Sequence, residues 1–198
     1  MKTDLKKQIT SYSARRGVFE IVDVPPLRYL MIDGHGDPNS RPYADAVSTL
    51  FPVAYRLKFM SKKELDRNYV VMPLEAQWWS EEMAAFTSDR DKSRWDWTAM
   101  ILVPEWITDD QFERARATAA DMPAIDELRL EMLTEGRCVQ TLHIGPFDEE
   151  GPVLERMHHE FIASRDLRMT GRHHEIYLSD IRRTDPSKLR TILRQPVE

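Results

Sequence analysis

A strand, a tight turn, a second strand, a glycine turn, a helix and a further strand occur in the same order twice along this chain, and this recurrence limits the fold more than any single motif does. In the first run, 18–24 and 28–33 read as strands, bounded by Pro25-Pro26 and by Gly34-His35-Gly36. Tyr43, Val47, Leu50, Ala54 and Leu57 then recur at helical spacing, which predicts a helix over 42–59, kinked or broken at Pro52. The stretch 69–79 predicts a strand that Pro73 confines to an edge or a bulge, a polar stretch follows over 80–93, and 94–103 reads as another strand. Thr108 with Gln111 has capping-box character ahead of a helix carrying Phe112, Ala115 and Ala119, which Pro123 should end. The second run reads as strands over 128–133 and 138–144 about a turn at Gly136, a helix over 152–164, a strand over 173–179 and a short helix at Pro186. The segment 192–196 then closes the sheet. The fold class expected is α+β, built from two repeated strand-helix-strand-strand modules with a central ligand cleft. The expected division is an N-terminal extension over 1–17 and a single domain over 18–198, whose pseudo-symmetric halves meet near residues 103 and 104.

Composition narrows the partners. With 28 basic and 33 acidic residues the formal net charge is -5, so no global field attracts phosphate backbones, and direct nucleic-acid binding is not expected. The single cysteine, Cys138, excludes an intramolecular disulfide and fits a reducing cytoplasm. No apolar run reaches the length of a membrane span, and no secretory signal is legible. A soluble cytoplasmic protein with no membrane partner is the expectation.

Period two places His173, Glu175 and Tyr177 on one strand face, and His174, Ile176 and Leu178 on a core-like opposite face. A carboxylate between an imidazole and a phenol can hold a cation, orient water or move a proton, although a solvated polar strand face fits the same pattern. The earlier strand sets Val71, Pro73, Glu75, Gln77 and Trp79 on one face. Related by a two-fold, Glu75 and Glu175 would approach one apolar cleft, and two carboxylates there would leave an acid and a base near neutral pH. Carboxylates on separate surfaces are the alternative. Trp79 and Trp97 are the aromatic residues best spaced to wall a planar ligand, with Trp95 and Trp97 read on one face, while a packed core uses tryptophans equally well. The six histidines show no zinc spacing, so neither a metal nor another cofactor is expected. Cys138 lies in an apolar strand without an activating neighbour.

The run Cys138-Val139-Gln140-Thr141-Leu142-His143-Ile144-Gly145-Pro146-Phe147, then His174-Glu175-Ile176-Tyr177-Leu178-Ser179-Asp180, then 189–197, resembles the GyrI-like small-molecule-binding family. Val71-Met72-Pro73-Leu74-Glu75 with Trp78-Trp79 resembles the matching signature of its first half. The resemblance, which runs from residue 18 to the C-terminus, implies a duplicated fold of the SHS2 type. It also implies that Glu175 is the acidic residue at the base of an effector pocket, as in multidrug-responsive regulators. The 17 residues ahead of the first strand are too few for a helix-turn-helix, so direct transcriptional control is not expected. Stand-alone members resembling this chain include hydrolases that open the cyclopropane of DNA-alkylating natural products. By that similarity Glu175 activates water, Glu75 is a second acid or base, and Trp79, Trp97, Tyr177, His143, Phe147 and Tyr43 contact the ligand. Phe147 stands where tyrosine is expected, which removes a hydroxyl. Two further readings stay open: a sensor or sequestering protein for lipophilic cations, and a protein-binding module like the gyrase inhibitor that names the family.

Overall fold

The computed structural model describes residues 2–80 and 91–198, so most of the polar stretch read over 80–93 lies outside the described residues. In chain order the elements are β1 (Lys2–Thr3), β2 (Glu20–Val24), β3 (Leu27–His35), α1 (Arg41–Glu64), β4 (Asn68–Tyr69), β5 (Glu75–Trp79), β6 (Asp96–Val103), α2 (Asp109–Ala117), β7 (Arg129–Leu133), β8 (Gly136–Ile144), α3 (Gly151–Glu155), β9 (His173–Tyr177) and β10 (Arg190–Pro196). They fall into two compact units, one of Met1–Gln8 with Leu27–Leu133 and the other of Ile9–Pro26 with Thr134–Glu198. The fold is α+β, and the order strand-helix-strand-strand appears as β3-α1-β5-β6 in one unit and as β8-α3-β9-β10 in the other. Among the described residues no helix is long and apolar enough to cross a membrane.

In the first unit β5, β6, β3 and β7 pair antiparallel in that order. Tyr29, Leu30, Met31 and Ile32 of β3 are all buried, as expected of a strand covered on both faces. Helix α1 packs on β3 and β6 through Ala46, Leu50, Val53, Ala54 and Leu57, a stripe of helical period. The helix runs continuously through Pro52 to Glu64, beyond the expected end at 59. A proline inside a helix costs about 3 kcal/mol, whereas burying Leu50, Val53 and Leu57 contributes about 1.5–3 kcal/mol each, so packing decides. The capping box forms as expected, with Thr108 and Gln111 each accepting from the other's backbone N–H. Helix α2 nevertheless ends at Ala117, ahead of Pro123, where the Thr118 hydroxyl donates to the Ala115 carbonyl and the next backbone bonds tighten to i→i+3. The stretch expected as one strand over 69–79 is two short strands, β4 and β5, separated by the segment around Pro73, which has no ladder.

In the second unit the order is β2, β8, β10, β9, again antiparallel. Strand β10 therefore lies inside the pairing rather than closing an edge. The helix expected over 152–164 is α-helical only in Gly151–Glu155, then π-helical over Arg156–Ile162 and 3-10 over Ala163–Arg165. Met157 and Ile162, five residues apart, both enter the core with Val139 and Leu193. An i→i+5 repeat brings such a pair onto one face, which an α-helix would separate.

The leading strands are exchanged. Strand β2 pairs with β8, and β7 pairs with β3, so each unit's edge strand comes from the other side of a cut near residue 103. Pro25-Pro26 explains half of this. A two-residue hairpin between β2 and β3 requires a positive φ that proline cannot adopt.

Candidate functional site

Strand β9 aligns His173, Glu175 and Tyr177 as period two requires, and the side chains meet. The Tyr177 hydroxyl donates to Glu175 Oε2 at 2.6 Å, and His173 Nε2 lies 3.3 Å from Glu175 Oε1. The Glu175 side chain is only 12% exposed and that of His173 4%, so the pair is largely withdrawn from water. The register through β10 sets Thr191 beside Tyr177 and His143, and Leu193 beside Glu175 and Thr141, all on one face. Val139 and Leu193 of that face form the core with Met157 and Ile162, so it is the face the helix covers.

His143 plays a supporting part. Its Nε2 lies 3.0 Å from the Pro146 carbonyl, which can only accept, so that nitrogen carries the proton. The bond holds the turn that presents Phe147, whose ring meets Tyr177 edge-on at 5.5 Å and 76°. Gly145 within this turn has φ 144 and would bring a Cβ to 3.3 Å from His143 Nε2, so a side chain there would crowd the imidazole. His158 of the π-helical turn faces His173, ring centroids 6.2 Å apart. Burial, and then the neighbouring His173 and His159, push the His158 pKa down to about 4. Thr191, almost fully buried, makes no hydrogen bond through its hydroxyl among the described residues.

In the first unit the aromatic residues divide between the two faces of the pairing. Trp78 and Trp97 are register partners on the α1 side, and Tyr43 of α1 stacks on Trp78 at 5.5 Å and meets Trp97 edge-on at 5.0 Å. Trp95, read from sequence as sharing a strand face with Trp97, precedes β6, yet its ring reaches Trp78 at 5.8 Å. Trp97 approaches β3 so closely that a Cβ on Gly34 would lie 2.1 Å from its Cζ2. Trp79 and Glu75 lie on the opposite face, by the same register that pairs Glu75 with Met100 and Trp79 with Asp96. The structure thus brings Tyr43 and Trp97 together with the unanticipated Trp78, and separates Trp97 from Trp79. Glu75 is completely buried and turned away from that aromatic cluster.

Sequence reading missed a second polar centre on the reverse face of β9. His174, placed there with the apolar residues, has Nδ1 2.9 Å from Glu135 Oε1, and Arg194 Nη1 lies 2.9 Å from Glu135 Oε2. Arg194 also donates to the Ser11 carbonyl at 2.6 Å and to Gln140 Oε1 at 3.2 Å. Burial works against the Glu135 charge, but His174 and Arg194 outweigh it and hold the carboxyl at about 2. Burial, aided by Glu135, pushes the Cys138 thiol up to about 12, which leaves it unreactive. Among the described residues no group of three or more His, Cys, Asp or Glu side chains is placed to hold a metal ion.

The family model of the GyrI-like small molecule binding domain matches residues 18–198. An uncharacterized conserved protein from Listeria innocua is 40% identical, each chain covering 100% of the other, with a TM-score of 0.89. A hydrolase from Listeria innocua is 37% identical over 100% of both chains, with a TM-score of 0.87. The EcmrR C-terminal domain shares the fold at 11% identity, over 91% of this chain and 97% of that one, with a TM-score of 0.54. No curated protein matches the sequence.

Proposed function

The chain belongs to the GyrI-like small molecule binding family, and from that premise we propose that it binds a bulky, flat, hydrophobic molecule and hydrolyses it through Glu175. The observation that carries this reading is the Tyr177–Glu175–His173 arrangement. One carboxylate oxygen is held by the phenol at 2.6 Å, while the other faces an imidazole at 3.3 Å, which supports reading that second oxygen as the one that takes a proton from water. The 37% identity over full length to a hydrolase supports water as the second reactant. With an electrophilic cyclopropane as substrate, the water oxygen bonds the ring carbon as the ring C–C bond breaks. Its proton passes to Glu175, and the released electron pair is taken up by a conjugated acceptor on the ligand, which is then protonated. Phe147 and Tyr177 supply aromatic contact. His143 positions Phe147 through the Pro146 turn rather than meeting the reacting atoms. Glu75 as a second acid or base, and Tyr43, Trp79 and Trp97 as aromatic ligand contacts, are kept as proposals, each to be tested by substitution within the first unit.

The test is mass spectrometry of a cyclopropane-bearing alkylator incubated with wild type and with Glu175→Gln. Water addition by wild type and none by the variant, with ligand binding by equilibrium dialysis retained in both, is the expected result. Equal turnover in the variant removes the mechanism. A second reading, sequestration of a lipophilic cation, is favoured by the same buried carboxylate beside aromatic rings. It predicts loss of binding itself in Glu175→Gln and no product with wild type.

A further inference from the structure

Helix α1 carries Tyr55, Lys58, Phe59 and Lys62 at spacings that place them on one face. Tyr55 is 46% and Phe59 59% exposed, and Lys58 Nζ lies 5.6 Å and 5.4 Å from their ring centroids. Beside them a shallow groove of about 670 Å³ opens between α1 and α2, lined by Arg56, Phe59, Met60, Arg114, Ala117 and Thr118. Glu64 at its rim is already engaged by both terminal nitrogens of Arg114, at 2.9 and 2.8 Å. Lys2, Lys58, Lys62 and Lys63 form no ion pair among the described residues. Partial burial, and after it the positive charges of Lys2 and Lys62, hold the Lys58 pKa below the ordinary lysine value. A chain of net charge -5 thus carries a local cationic and aromatic face next to an apolar groove.

We propose that this face of α1 docks an acidic amphipathic helix of another protein, with its carboxylates against Lys2, Lys58 and Lys62 and an apolar side chain in the groove beside Phe59 and Met60. Charge complementarity selects the partner, because Lys58 and Lys62 share one face of α1 with the exposed Tyr55 and Phe59 and meet no carboxylate among the described residues. A second copy of the chain related by a two-fold would set lysine against lysine. A long polyanion is repelled by the remaining surface, and a bilayer has no side chain to place in a concavity.

The experiment measures fluorescence anisotropy of a labelled helical peptide with Leu at i and i+4 and Glu on its polar face, a control with Lys replacing Glu, and phosphatidylserine-containing vesicles. The acidic peptide should bind at least about tenfold more tightly than the control, with affinity falling as salt rises. Lys58→Glu and Phe59→Ser, both on the exposed face, should each weaken it about tenfold without changing Tm or turnover. Equal affinity for both peptides, no binding of the acidic one, or binding to vesicles alone overturns the proposal.

Discussion

Glu175 has one oxygen committed to Tyr177 and the other facing His173, so the two neighbours are separable by substitution. Tyr177→Phe keeps the ring against Phe147 but removes the donor. Turnover should fall roughly 10²-fold, the range for one positioned proton-transfer group, with ligand binding measured by equilibrium dialysis nearly unchanged. Unaltered turnover would show that the phenol has no role. His158 carries a different consequence. Its pKa is about 4 in the folded chain against a reference of 6.5, so the unfolded chain binds the proton first. Stability from this residue is complete above pH 6.5 and is lost as pH falls toward 4, by up to about 3 kcal/mol. Glu135, also depressed, adds to the loss below its ordinary range, toward pH 2. Denaturant titrations at pH 7 and pH 4.5 of wild type and His158→Gln check this, the variant being expected to lose less on acidification.

The elements place side chains by local rules, but the faces they occupy depend on pairing. Adjacent Trp78 and Trp79 must point apart on a strand, and the pattern does not say which of them the helix will cover. The partnership of Trp78 with Trp97 decides it, and Gly34 permits it by leaving room for the Trp97 indole. Gly34→Ala should displace that ring, lower stability by about 1–3 kcal/mol as overpacking does, and change the intrinsic Trp emission. An unshifted spectrum with an unshifted Tm would contradict the packing described. The π-helical turn is a similar case. Hydrophobic spacing in 152–164 fits an α-helix well enough to predict one, and only the need to seat both Met157 and Ile162 against Val139 and Leu193 widens it.

Across the whole molecule, residues far apart in sequence hold the second unit together. Arg194 bonds the Ser11 carbonyl across 183 positions and shares Glu135 with His174, so the segment ahead of β2 is fastened by a buried charge network. Arg194→Ala should cost about 3–5 kcal/mol, because it leaves Glu135 buried without its guanidinium. In a chain of this size that lowers Tm by at least roughly 6 °C. Pairing Glu135→Leu with Arg194→Met should recover much of the loss, and thermal unfolding of the two variants distinguishes the network from simple packing. The sequence by itself determined the repeated order of elements, the α1 stripe, the α2 cap and the common face of His173, Glu175 and Tyr177, because each depends on helix or strand period over a few residues. The tertiary structure decided the exchange of β2 and β7, the side of the sheet on which Glu75 lies, the clustering of Tyr43 with Trp78 and Trp97, and the burial of Glu135, His174 and Arg194. Those outcomes depend on which strands pair and in what register, an energy that sums over contacts distant in sequence and leaves no mark on local spacing.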